Sequence, residues 1–136
     1  MISRDRWFGI LLAFGFGNLA TGVWMLADPQ GWYLTLPAGI PDTGPLNEHF
    51  IRDLGSTFSV MGFACFAAAV QPRLRVPAIG AVTLFYVMHA GVHVTDTLAG
   101  RLPSSHWAID FPGVYLPAII LAVVLALLWR SEPERV

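Results

Sequence analysis

Lysine is absent from this chain and cysteine occurs once, and each scarcity removes a class of function. Eight arginines stand against nine acidic residues, a formal net charge of -1, so nothing in the balance suits nucleic acid or another polyanion. Cys65 lies in an apolar run without a partner cysteine, which excludes a disulfide framework and a thiolate zinc site and leaves it a small core residue. Charge of any kind is rare: 12% of residues are charged and 55% are hydrophobic, far from the composition of a soluble domain.

What fills the chain instead is long uncharged sequence. Trp7 to Leu26, Leu54 to Val70, Val76 to Thr95 and Phe111 to Trp129 each have spanning length, given a hydrocarbon core of about 30 Å and 1.5 Å of rise per residue. Each reads as a helix, because an open strand would leave its backbone groups unsatisfied in lipid. Pro45 suits a first helical turn, so the second helix is expected to begin near Leu46. The expectation is an all-α, polytopic membrane protein: one four-helix transmembrane domain over residues 1–136, with spans at about 7–26, 46–70, 76–98 and 111–129 and outer loops at 27–45 and 99–110. Arg4 and Arg6 ahead of an apolar run could also open a signal peptide. The first run is longer than such a segment needs, and no small-x-small cleavage pattern follows it, so it is read as a span.

Arginine placement gives the orientation. Arg4 and Arg6, Arg73 and Arg75, and Arg130 and Arg135 fall on one side of the four spans, and the opposite loops hold only Arg101, so both termini are expected in the cytoplasm. Trp7 and Trp129 then mark one interface and Trp24, Trp32 and Trp107 the other. The loop from Asp28 to Pro45 mixes proline and glycine with Trp, Tyr, Leu and Ile, which suggests a compact cap. Ala13, Gly17 and Thr21 form a small-residue stripe suited to close helix contact, and Asn18 is expected to hydrogen-bond between helices.

The chemistry-bearing residues collect in the outer half. Tyr86, His89, His93 and Asp96 are spaced by three, four and three on the third span, and His49 and Asp53 are four apart on the second, so each set shares a helix face. An antiparallel turn near Gln71 to Arg75 places Asp53 level with His93, and His49 level with Asp96, to within about one turn. Intramembrane ionisable groups are costly and usually pair, face the interior or serve a site. His49, Asp53, His89, His93 and Asp96 are therefore the candidate metal ligands, for zinc, iron or copper, with Glu48, Arg52 and Tyr86 around them. Haem between His49 and His93 is a lesser alternative, made awkward by the two aspartates. Glu48 and Arg52 also read as a plain ion pair, and His106, beside Trp107 in a loop, as an exposed interfacial histidine.

The four-span layout, with Asn47-Glu48-His49-Phe50-Ile51-Arg52-Asp53-Leu54-Gly55 opening the second helix and His89-x-x-x-His93-x-x-Asp96 closing the third, resembles small bacterial four-helix membrane proteins of the broadly DoxX-like kind. The resemblance implies a bacterial inner membrane, a multi-pass protein there, and a link to redox or envelope chemistry. It carries over no site residues. Three classes follow: a metal site doing Lewis-acid or redox chemistry on a small or lipid-soluble substrate, a proton-linked carrier or quinone-type pocket, or a non-catalytic subunit locked by its polar cluster. The partners expected are the bilayer and a membrane protein or second copy.

Overall fold

In the computed structural model, which describes residues 5–131, the chain is helical throughout its regular structure. Arg4 and Arg135 lie outside the described residues. The elements are α1 (Arg6–Ala27), α2 (Pro29–Thr35), a 3-10 turn (Ile40–Thr43), α3 (Glu48–Val70), a 3-10 turn (Pro72–Leu74), α4 (Arg75–Leu98), α5 (His106–Ile109), a π-helical turn (Phe111–Tyr115) and α6 (Leu116–Ser131). Four of these segments, Arg6–Ala27, Glu48–Val70, Pro72–Leu98 and Phe111–Ser131, are long and apolar enough to cross a membrane. Their outer surface is itself apolar, with Phe16, Val60, Leu84, Val123 and Trp129 each more than half exposed. A helix apolar all round needs either protein or lipid on every side.

Helices α1 and α3 meet along glycines. A Cβ on Gly22 would lie 2.6 Å from the Gly55 carbonyl oxygen, and one on Gly62 would lie 2.9 Å from that of Gly15, so side chains at these positions would force the two backbones apart. The contact stripe is thus Gly15 and Gly22, not Ala13, Gly17 and Thr21. Those three instead face a cavity, and a Cβ on Gly17 would meet none of the described residues within 4 Å.

The end of the bundle near residue 5 is tied by charge. The Asp5 carboxylate caps α1, accepting from the Trp7 and Phe8 amides at 3.1 and 3.3 Å, and also receives the Arg75 guanidinium at 2.5 and 3.1 Å. Arg75 Nε donates to the Ala68 carbonyl at 3.2 Å, so one buried side chain links the starts of α1 and α4 to the end of α3. The guanidinium beside it, opposing the smaller effect of desolvation, holds the Asp5 carboxyl below the usual range. Above this clamp the core is closed by Leu11, Cys65, Ile79, Val82, Leu121 and their neighbours.

The opposite end is capped by the first long connection. Trp32, Tyr33, Leu36 and Ile40 pack on Met25, Ile51 and Leu54, and Tyr33 donates to the Gly44 carbonyl at 2.7 Å, which makes residues 28–45 the compact cap their composition suggests. Asn47, whose side chain accepts from the Phe50 amide at 3.1 Å, caps α3. The helix therefore starts at Glu48, and Pro45 stays in the loop instead of entering the first turn.

A buried His and Asp cluster under the cap

At the capped end, α4 brings His93 to the segment that follows it. His106 opens α5 and Asp110 lies one turn on, where the π-helical turn begins with the Val114 and Tyr115 amides both donating to the Asp110 carbonyl, at 2.8 and 3.3 Å. His106 and Asp110 therefore project to one side, toward His93. The Asp110 side chain is 1% exposed, that of His106 is fully buried, and that of His93 is 13% exposed.

The contacts form a chain. His93 Nδ1 lies 2.7 Å from Asp110 Oδ2; His106 Nδ1 lies 3.1 and 3.2 Å from the two Asp110 oxygens; His106 Nε2 lies 3.2 Å from Asp42 Oδ2, in the cap. Gly39 makes the last contact possible: with φ +60 it turns the cap tightly over His106, and a Cβ there would approach the imidazole to 3.1 Å. Burial alone disfavours a charged His106, but the hydrogen bonds and charges of Asp42 and Asp110 outweigh it and raise its pKa above the ordinary value.

Counting protons shows what such a cluster wants. Each carboxylate oxygen facing an imidazole nitrogen needs a hydrogen between them, and a neutral imidazole supplies one. His106 faces carboxylates with both nitrogens, so the arrangement needs an imidazolium, a protonated carboxyl, or a cation standing between Nδ1 and Asp110. His93, His106 and Asp110 each offer a ligand atom, and the three lie within 4.8 Å of one another. A tetrahedral ion with bonds of about 2.0–2.1 Å sets its ligands roughly 3.3 Å apart. The His106–Asp110 contact nearly matches that, the His93–Asp110 contact needs to open by about half an ångström, and the two imidazoles, whose ligand atoms lie within 4.8 Å of each other, complete the triangle by closing on the ion. Asp42 on the far nitrogen of His106 is the arrangement by which carboxylates orient ligating histidines.

Only His93 of the ligands expected from the sequence belongs to this group. His49 and Asp53 pair with each other at 3.5 Å on an exposed face, their side chains 90% and 67% accessible. Register was the wrong criterion for them, because rotation about the helix axis also counts. The inward face of α3 carries Ile51, Gly55, Gly62 and Cys65, and Asp53, two residues from both Ile51 and Gly55, points about 200° away from each. This placement removes the geometric basis for haem between His49 and His93. Asp96 receives Arg101 at 2.7 Å in place of joining the cluster. Glu48 and Arg52 form their own pair at 2.9 Å on the same exposed helix start, so neither supports the site.

His89 stays close, its ring 4.7 Å from that of His93 and stacked at 5.8 Å on Phe85, but it is outside the group able to hold an ion. Tyr86 donates to Asn18 at 3.0 Å, and Asn18 in turn donates to the Phe14 carbonyl at 2.9 Å, so Tyr86 tethers α4 to α1 below the cluster and Asn18 is the interhelical hydrogen bonder its position suggests.

His106, read from the sequence as an exposed interfacial residue, is the most enclosed member. Asp42 and Asp110 were not among the expected residues at all. One signal was present: His106 and Asp110 have the same spacing of four that singled out His49 and Asp53, and Asp110 stands immediately before an uncharged span.

Beside the cluster lies a cavity of about 1030 Å³ between α1 and α3 on one side and α4 and the π-helical turn on the other. His89, His93 and Asp110 line it, under Trp32 and Tyr33 of the cap. No family model, curated protein or solved structure matches this chain.

Proposed function

We propose that this is a multi-pass protein of the cell inner membrane that holds a divalent metal ion, zinc, iron or copper, at a buried centre near its periplasmic face. Nδ1 of His93, Nδ1 of His106 and a carboxylate oxygen of Asp110 are the ligands, and Asp42 orients His106 through Nε2. The observation that carries the reading is the convergence of His93, His106 and Asp110, whose ligand atoms lie within 4.8 Å of one another, where three imidazole–carboxylate contacts outnumber the two protons that two neutral imidazoles supply.

Nitrogen and carboxylate donors suit all three metals. Three protein ligands leave a position open, the pattern of a catalytic centre and not of a structural one. His93 and Asp110 line the cavity, so a molecule held there lies beside that position. The ion would supply Lewis acidity or a redox couple; the chain supplies a largely apolar pocket and fixed imidazoles. Orientation follows the arginines: Arg73, Arg75 and Arg130 lie at the end away from the cluster, which is consistent with a periplasmic centre.

Elemental analysis of protein purified in mild detergent, under reducing and oxidising conditions, tests the proposal. About one equivalent of a transition metal is expected. A protein that takes up no zinc, iron or copper under either condition makes the cluster a hydrogen-bonded relay or a structural lock, and the metal centre is then abandoned.

A further inference from the structure

The cavity beneath the cap has its own chemistry, and it names the class of molecule delivered to the centre. We infer that it binds a single-chain, uncharged amphiphile taken from the surrounding lipid, with an oxygen-bearing head toward His89 and His93 and its chain along the apolar wall. This deepens the metal-centre reading by naming its substrate class, and rests on it for the role of the head alone.

Size comes first. At about 1030 Å³ the cavity is at the upper limit of pockets for small ligands, roughly 300–1,000 Å³, and it is elongated. The wall from Phe85 to His93 alone runs about 12 Å along α4 at 1.5 Å per residue. The opening is apolar as well. Phe50, Met88 and Val92 line the cavity yet are 63%, 65% and 55% exposed, so it opens between α3 and α4 among side chains that no aqueous solute would select. With those helices in a bilayer, that opening faces lipid.

The head is defined by what the wall offers. Among the described residues no arginine lines the cavity, so a phosphate finds no counter-charge from them there. An ion at the cluster with an open position would itself attract a phosphate oxygen, so the two heads are compared in metal-free protein, where the lining alone decides. Hydrogen-bond donors are available instead. The imidazoles of His89 and His93 line the cavity, and an imidazole can both donate to and accept from an oxygen-bearing head. Gly17 and Gly113 also line the cavity, and a Cβ on either would meet none of the described residues within 4 Å, so the backbone leaves room along the chain's path.

Tryptophan fluorescence tests this with two probes that share a chain: 1-(9,10-dibromostearoyl)glycerol and the same chain on a glycerophosphate head. Bromine quenches indole on contact. Saturable quenching by the uncharged ester is expected, with at least tenfold weaker binding of the phosphate ester. The saturable component should vanish in Trp32→Phe and weaken at least tenfold in Gly17→Leu. Gly9→Leu, also in open space but outside the cavity, should bind like the parent. Matching unfolding temperatures of the two leucine variants show that Gly17→Leu fills the cavity without unfolding the bundle. Should Gly17→Leu misfold, Gly113→Leu takes its place. Equal affinity for the phosphate ester, or unweakened binding in the folded cavity-filling variant, overturns the inference.

Titrating Co²⁺ into metal-free protein separates the two readings. Saturable quenching in a protein that binds no cobalt supports the pocket and rejects the metal centre. Cobalt binding with no saturable quenching rejects the pocket alone.

Discussion

His106 and Asp110 stand one helical turn apart with Nδ1 3.1 Å from Oδ1, both side chains buried, and this short-range pair is what His93 reaches from α4 and Asp42 reaches from the cap. Two elements far apart in sequence are thus joined through a motif of five residues. The consequences can be measured.

Removing either member of that pair should abolish metal binding. His106→Ala and Asp110→Asn are expected to lose metal by more than the 10 to 100-fold typical of an orienting residue. His49→Ala, on an exposed face, should bind like the parent. Isothermal titration of metal-free protein with zinc measures all three, and a parent-like affinity in His106→Ala would refute the ligand assignment.

Asp42→Asn should show the intermediate effect. The amide can still accept from His106 Nε2 but brings no charge, so zinc affinity is expected to fall by roughly 10 to 100-fold without being lost. The same titration reads it. Complete loss would make Asp42 a ligand, and no change would detach the cap from the centre.

The glycine contact between α1 and α3 predicts a stability difference. Gly62→Leu must push against the Gly15 carbonyl and Leu19, and should destabilise by about 1–3 kcal/mol or more, whereas Gly9→Leu enters open space and should be neutral or mildly stabilising. Thermal unfolding in detergent, followed by circular dichroism, compares them.

Acid should weaken the Asp5–Arg75 clamp. Because the folded-state pKa of Asp5 is lowered, the stability it contributes is present above the unfolded value, about 3.9, and is lost as pH falls through the folded value. Asp5→Asn keeps a capping side chain but not the charge. The gap in unfolding temperature between parent and variant should hold steady above about pH 5 and close toward pH 3. A gap that persists unchanged into acid would mean that the charge contributes nothing.

Topology is checked by reporter fusions after Val136 and within the cap near Gly39. The arginine pattern predicts opposite locations, cytoplasmic for the first and periplasmic for the second. A shared location would remove the four-span arrangement.

The sequence alone was enough for the four apolar helices and the compact cap, because length, the absence of charge and turn composition act locally or on the whole segment at once. It also placed His93 and Asn18 correctly, each on the inward side of its helix. What it could not supply was the rotation of α3. Spacing put His49 and Asp53 on a common face, but which face turns inward was decided by Gly55 and Gly62 closing against Gly15 and Gly22, a contact between two backbones that no periodicity within one helix reveals. The same holds for the cluster. Asp42, His106 and Asp110 lie in connections, where no helical register fixes direction, and they meet His93 only because Gly39 and the π-helical turn fold the two loops over the end of α4.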